Sequence, residues 1–150
     1  MKAGGYSLSS SVGVAAMLIM LVATAVAARG YVSPEHVPGA TTIDGVKAWE
    51  LWERGVIFID VRIASDYEAG HIPDAINLTI ERDEAKSPFT EQSLLEVLGS
   101  KDREVVFYCN AERCWRSSVA AERAVSWGFT RVYYYRLGFP DWQRRNYPVE

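Results

Sequence analysis

Cysteine and histidine are scarce in this sequence of 150 residues, which contains two of each. Two cysteines cannot form the dense disulfide framework of a small secreted miniprotein, although they can form one bridge or one reactive pair. The histidines, cysteines and carboxylates show no spacing typical of a metal site, and we expect no cofactor. A strong excess of one charge is also missing: the net charge of −3 argues against a nucleic-acid-binding protein.

Charged residues are absent from one long apolar stretch, VGVAAMLIMLVATAVAA at residues 12–28, which lies between Lys2 and Arg29. Within it, residues 25–27 (AVA) match the small-x-small pattern that signal peptidase cleaves. We therefore predict that residues 1–28 are a secretory signal peptide, with an uncleaved N-terminal membrane anchor as the alternative. Either segment would place the remaining chain in the periplasm or otherwise outside the cytoplasm, where disulfides persist.

The stretch after the apolar segment differs in composition from the rest of the chain. Residues 29–41 contain two prolines and two glycines and show no hydrophobic period, so we predict a linker there. Residues 42–150 show no internal repeat and are long enough for one domain with a hydrophobic core.

Apolar runs rich in β-branched and aromatic residues alternate with amphipathic helical patterns along residues 42–150. The runs, typical of strands buried on both faces, lie at 56–61, 104–109 and 131–136. The helical patterns lie near 42–55, 90–99, 117–129 and 140–147. This alternation predicts an α/β fold, in which helices cover both faces of a parallel sheet.

Cys109 ends one of these predicted strands, and ligands of such sheets bind at the carboxyl ends of strands. The following loop contributes backbone N–H groups, and a helix begins near Arg116 with its partial positive charge. Arg113 and Arg116 add cationic groups, so three features favour the reactive thiolate of Cys109. Such a unit suits attack on a sulfane sulfur or on a phosphate, although a phosphatase normally needs an acid that the sequence does not identify.

Four segments together resemble the single-domain rhodanese (thiosulfate sulfurtransferase) family. They are IDVRIASDYEAGHIPDAINL, VVFYC, RSSVAAERAVSWGF and GFPDW with NYPV, and the resemblance covers roughly residues 42–149. The resemblance implies a five-stranded parallel sheet with Cys109 as the catalytic residue that carries sulfur as a persulfide. It also implies that the loop around the persulfide binds substrate, through Asn110, Ala111, Glu112, Arg113, Trp115, Arg116 and Ser117.

The loop departs from the family pattern in two ways. The usual rhodanese loop has four residues between the cysteine and the arginine-serine pair, whereas here residues 110–115 intervene. One of them is Cys114, and this Cys-x4-Cys pattern resembles an exported subgroup of rhodanese-like proteins. Cys114 can resolve a persulfide or sulfenate on Cys109, form a structural bridge or simply fill the loop, and the sequence leaves these alternatives open.

The sequence thus favours a sulfurtransferase that moves sulfur from a donor such as thiosulfate to cyanide or a thiol. The alternatives are a thiol–disulfide redox protein or sensor that uses Cys109 and Cys114, and a non-catalytic rhodanese-like module that binds a partner. A phosphatase is the least favoured. The expected partners are small molecules, with no nucleic acid, and a membrane tether through residues 12–28 if the segment is not cleaved. Elsewhere, Asp60 and Arg62 suit an internal ion pair, and His71 suits a structural hydrogen bond in a turn.

Overall fold

Five parallel strands form a single sheet in the order β1-β5-β4-β2-β3. The structure, a computed structural model, describes residues 30–150, and the unit from Tyr31 to Glu150 is compact. The strand bounds are β1 Thr41–Thr42, β2 Ile57–Asp60, β3 Ile76–Asn77, β4 Val105–Tyr108 and β5 Val132–Tyr135. The sequence prediction of an α/β fold with a five-stranded parallel sheet is confirmed.

Helices connect the strands, as parallel pairing requires. They are α1 Gly45–Glu53, α2 Ala64–Glu68, α3 Glu91–Leu98, α4 Arg116–Ser126 and α5 Gly138–Arg144, with a short 3-10 turn at Glu84–Lys86. Asp44 caps α1 by accepting a hydrogen bond from the backbone N–H of Lys47 (2.9 Å). Thr90 caps α3 in a reciprocal capping box with Ser93, and Gly99 ends that helix in the left-handed conformation.

Two apolar clusters cover the two faces of the sheet. On one face, α3 and α4 pack through leucine and alanine side chains against β4 and β5, for example Leu94 and Ala121. On the other face, Leu51 of α1 and Trp142 of α5 pack beside Phe58 of β2. The four side chains of β4 are completely buried, because this strand is central and covered from both sides.

The strand register brings the carboxyl ends of β2, β4 and β5 to the same edge of the sheet. Asp60 pairs with Tyr108, and Tyr108 pairs with Tyr135. The residue that follows β4 is Cys109, so its sulfur lies at the edge where α/β sheets bind their ligands.

Part of the segment predicted as a linker packs on the domain. Val37 belongs to the apolar cluster on the α3 and α4 face and is 2% exposed. Residue Thr41 opens strand β1, which pairs with β5 at the edge of the sheet. The predicted signal or anchor at residues 1–28 lies outside the described residues. Within residues 30–150, no helix combines the length and apolar character needed to cross a membrane.

Candidate active site

Cys109 lies at the base of a loop that joins the buried end of β4 to helix α4. Its side chain is 1% exposed and belongs to the apolar cluster on the α3 and α4 face. Its sulfur is bonded to that of Cys114, which is half-buried, and the two Cα atoms are 6.3 Å apart. The structure therefore joins Cys109 and Cys114 in a disulfide, whereas the sequence left the role of Cys114 open.

The backbone of the loop offers hydrogen-bond donors. Within the described part of the chain, the N–H groups of Asn110, Ala111, Glu112 and Arg113 donate to no protein acceptor. Cys114 N–H closes a tight turn by donating to Ala111 O (3.1 Å). Successive unpaired N–H groups in a turn attract anions, so this arrangement suits an oxyanion or a persulfide.

Three features of the backbone define the position of the loop. Ala111 adopts a left-handed conformation with φ of 58°, which is uncommon for a residue with a side chain. Gly138, at the start of α5, has φ of 58°, and a Cβ there would stand only 3.1 Å from Ala111 N and closer still to the Cys109 carbonyl. The next residue, Phe139, donates its N–H to Cys109 O (3.0 Å). Helix α5 thus supports the loop, a contact that was not predicted from the GFPDW segment of the sequence.

The buried ion pair of Asp60 and Arg62 packs against Phe139, the residue of α5 that hydrogen-bonds to Cys109. Arg62 donates its Nη2 to Asp60 (2.6 Å), and their side chains are 4% and 0% exposed. The guanidinium carbon of Arg62 also lies 4.4 Å from the ring centroid of Phe139. Burial by itself would lower the pKa of Arg62, but its hydrogen bond and charge interaction with Asp60 raise the pKa on balance. The predicted internal ion pair is therefore present, and Arg62 packs on Phe139, the residue that donates its N–H to Cys109 O.

The hydroxyl of Tyr108 lies beside the same pair, where burial, and then the negative charge of Asp60, raise its pKa far above the usual range. This hydroxyl therefore stays neutral and accepts a hydrogen bond from Ile72 N–H (3.2 Å). His71 has the structural role that its turn suggested, since Nδ1 hydrogen-bonds to Tyr67 O (2.9 Å).

The arginines of the loop lie in different surroundings. Arg113 is exposed, and its guanidinium forms no hydrogen bond or ion pair with residues 30–150. Arg116 is the first residue of α4, as predicted, and its Nε donates to Ile80 O (3.0 Å). Its guanidinium carbon lies 5.1 Å from the ring centroid of Trp115, and that of Arg82 lies 4.7 Å from the same ring.

These side chains line a pocket of about 470 Å³ beside the loop, which is formed by Glu81, Arg82, Asp83, Lys86, Trp115 and Arg116. Trp115 therefore lines a pocket beside the loop that neither Cys109 nor Cys114 lines. Arg82 was not singled out from the sequence, because no local pattern indicates that it would reach Trp115 across the fold. A second cavity of about 630 Å³ lies near β1, and none of the loop residues lines it.

The remaining predicted residues have structural partners or are buried. Asn110 donates its side-chain amide to Asp66 (2.7 Å). Glu112 contributes its backbone carbonyl, which accepts from Ser33 N–H (2.7 Å). Ser117 is completely buried near the start of α4, and within the described residues its hydroxyl has no hydrogen-bond partner.

The N-terminal segment also contacts the loop, which the linker prediction did not include. Besides its bond to Glu112, Ser33 accepts two hydrogen bonds from the Arg136 guanidinium through its carbonyl (3.0 and 3.2 Å). Tyr134 donates its hydroxyl to Pro34 O (3.2 Å). The segment therefore connects the end of β5 to the outer side of the loop. No cluster of three or more potential metal ligands occurs among residues 30–150.

Comparison with known proteins agrees with the geometry of this edge. The model of the rhodanese-like domain family matches residues 43–145. The chain belongs to the rhodanese family. The thiosulfate sulfurtransferase GlpE of Actinobacillus pleuropneumoniae is 32% identical over 111 residues, covering 73% of this chain and 93% of that protein. The crystal structure of the BH2092 protein from Bacillus halodurans matches with a TM-score of 0.62 and 26% identity, covering 74% and 77% of the two chains.

Rhodanese domains also occur inside larger proteins of other named activities. The tRNA uridine(34) hydroxylase of Buchnera aphidicola is 33% identical over 96 residues, which cover 59% of this chain. This chain spans only about a quarter of the length of that relative (27%). Membership of the rhodanese family is therefore compatible with more than one activity.

Proposed function

We propose that this rhodanese domain is a sulfurtransferase that carries sulfur as a persulfide on Cys109. The observation that supports this best is the position of Cys109, at the carboxyl end of the central strand and under a loop of unpaired N–H groups. The likeness to a thiosulfate sulfurtransferase along most of both chains supports the same activity. The proposed donor is an anionic sulfane compound of the thiosulfate class, and the acceptor is cyanide or a thiol.

The reaction begins only after the bridge between Cys109 and Cys114 is reduced, because a bridged cysteine has no thiolate to attack with. The Cys109 thiolate then attacks the outer sulfur of thiosulfate. A new sulfur–sulfur bond forms, the bond within thiosulfate breaks, and sulfite leaves with the electron pair. Attack by cyanide or a thiolate on the outer sulfur of the persulfide returns Cys109 to its thiolate.

The loop and the start of α4 provide the positive potential that an anionic donor needs. Trp115, the N-cap residue of α4, makes no side-chain capping bond, so the first N–H groups of this helix can interact with an anion. Arg113 is exposed, and its guanidinium can turn toward the loop. Arg116 is the first residue of α4, directly after the loop. In this proposal Arg113 contacts the incoming donor, while Arg116 contributes charge from a fixed position.

We further propose that the protein acts outside the cytoplasm, in the periplasm or an equivalent exported compartment. The support is the apolar segment at residues 12–28 and the bridged state of the two cysteines, which an oxidising compartment maintains. The Cys-x4-Cys loop, proposed as the mark of an exported subgroup, agrees with that location. The mass of the protein recovered from the exported fraction tests whether residues 1–28 have been removed.

The test of the sulfurtransferase activity is the intact mass of the reduced protein before and after treatment with thiosulfate. We expect sulfite to appear with wild type and with Cys114→Ser, the mass of Cys114→Ser to increase by one sulfur atom, and neither change to occur in Cys109→Ser. Cys114→Ser is the matched control, because it removes the other thiol and leaves Cys109 in place. If Cys109→Ser acquires sulfur as Cys114→Ser does, or if neither wild type nor Cys114→Ser produces sulfite, the proposed activity is wrong.

The disulfide specifically favours a second candidate, a thiol–disulfide redox protein or sensor. This function predicts exchange with dithiol proteins and no reaction of the reduced form with thiosulfate. A redox titration followed by thiol alkylation, combined with the sulfite measurement, distinguishes the two functions. A non-catalytic binding module would show neither reaction.

A further inference from the structure

The two cysteines of the loop are placed for direct reaction with each other. Their Cα atoms are 6.3 Å apart, inside the range that native disulfides span without movement of the backbone. The turn from Ala111 to Cys114, closed by the Cys114 N–H, sets the position of the second cysteine. Whatever group is attached to the Cys109 sulfur therefore forms close to the Cys114 thiol.

We infer that Cys114 resolves the Cys109 persulfide and releases sulfide, so that the domain is a thiosulfate-reducing enzyme as well as a sulfur carrier. This inference rests on the proposed function, because the persulfide must form first. The Cys114 thiolate attacks the sulfur of Cys109, the bond between that sulfur and the outer sulfur breaks, and hydrosulfide leaves with the electron pair. The outer sulfur is thereby reduced to sulfide, and the two cysteines are oxidised to the disulfide present in the structure.

Burial favours this internal reaction over attack by a free thiol at the same atom. Cys109 is 1% exposed, and the Cys114 sulfur is the thiol sulfur that the fold places against it. A tethered nucleophile acts at an effective concentration on the order of millimolar or above, without a bimolecular encounter. External thiols can reach the outer sulfur of the persulfide more easily than the inner one, so sulfur transfer and sulfide release compete for the same intermediate.

Regeneration requires a reductant, which we assign to the class of dithiols. Cys114 is half-buried whereas Cys109 is 1% exposed, so a dithiol reaches the bridge more easily at Cys114, and Cys109 leaves as a thiolate. The positive potential of the loop and of the start of α4 stabilises that leaving thiolate. The second thiol of the reductant then releases Cys114. In total, thiosulfate and a dithiol give sulfite, hydrogen sulfide and the oxidised dithiol.

A single turnover of the reduced domain tests the inference. The protein is reduced with dithiothreitol, desalted without air, and mixed with one equivalent of thiosulfate. Sulfite, sulfide and the intact mass after thiol alkylation are then measured. For wild type we expect equal amounts of sulfite and sulfide and a protein mass that shows the disulfide. For Cys114→Ser we expect the same sulfite, a stable persulfide and at least about tenfold less sulfide.

The outcomes separate this inference from the proposed function. Sulfite without sulfide in wild type, with a lasting persulfide, would overturn the inference and leave the sulfurtransferase intact. Equal sulfide release from wild type and Cys114→Ser would also overturn it. Absence of sulfite from both would remove the proposed function itself. Cys114→Ala is measured alongside, and a thermal melt of each reduced variant shows whether it is folded.

Discussion

The close approach of Gly138 to the loop gives a prediction that depends on a single methyl group. In Gly138→Ala the new Cβ would lie 2.9 Å from the carbonyl carbon of Cys109 and 3.1 Å from Ala111 N. Both neighbours are backbone atoms, so they cannot move aside as the end of a flexible side chain does. The variant is therefore expected to shift the loop that carries both cysteines.

The expected loss of stability has two parts. A left-handed conformation costs a residue with a Cβ about 1–2 kcal/mol, and Gly138 has φ of 58°. Overpacking against fixed neighbours costs about 1–3 kcal/mol more. We expect Gly138→Ala to lower the free energy of unfolding by about 2–5 kcal/mol in total.

Gly99 is the matched control, because the two parts can be separated there. It also has a left-handed backbone, with φ of 76°, but nothing lies within 4 Å of a Cβ at that position. Gly99→Ala should therefore lose only the conformational part, about 1–2 kcal/mol.

Urea denaturation of both variants, with the disulfide intact, provides the comparison, and the sulfite assay on the reduced proteins reports on the loop. We expect Gly138→Ala to be the less stable variant and to lose most of its reaction with thiosulfate, while Gly99→Ala keeps it. Equal stability losses in the two variants would refute the argument that the loop rests on α5.

Three further predictions concern the ion pairs and the loop backbone. Asp60→Asn leaves the buried Arg62 without its charge partner and should lower the free energy of unfolding, measured by urea denaturation, by about 3 kcal/mol. A loss below about 1 kcal/mol would contradict the stabilising role of this pair. Ala111→Gly relieves the left-handed backbone strain of about 1–2 kcal/mol, but the greater entropy of glycine in the unfolded chain costs about 0.5–1 kcal/mol. We therefore expect an unchanged or slightly higher free energy of unfolding. A clear decrease would contradict the strain assigned to Ala111. Burial acts to raise the pKa of Asp141, but hydrogen bonds from Arg145 and Tyr135 outweigh it and lower the pKa below the unfolded value. This carboxylate therefore stabilises the fold above about pH 4 and loses its effect as the pH falls through the lower, folded pKa, so unfolding measured against pH should show a shallower acid loss in Asp141→Asn than in wild type.

The strand and helix order could be predicted from the sequence because each element has a local cause. The apolar run around Val106 is continuous since β4 is covered on both faces, and Thr90 and Gly99 mark the ends of α3 by their capping chemistry. The position of Cys109 at the carboxyl end of β4 followed from the same pattern. The family resemblance came from short motifs in a specific order, which also depend only on the chain.

The contacts that shape the loop could not be predicted in this way, because they join residues far apart in the chain. The bond from Ser33 to Glu112, the approach of Gly138 to Cys109 and the stacking of Arg82 with Trp115 each depend on how the elements pack. Nothing near Ser33 in the sequence distinguishes a linker from a segment that hydrogen-bonds to a loop. Only the assembled fold supplies the partner atoms.

The sequence by itself therefore determined the fold class, the family and the cysteine at the sheet edge, since these depend on periodicity, capping and motif order. The tertiary structure decided that Cys109 and Cys114 are bonded, that Cys109 is the buried end of the bridge and that α5 supports the loop. The physical reason is distance. Reaction between two thiols and contact between two backbones depend on separations of a few ångströms, which are set by the packing of helices on the sheet.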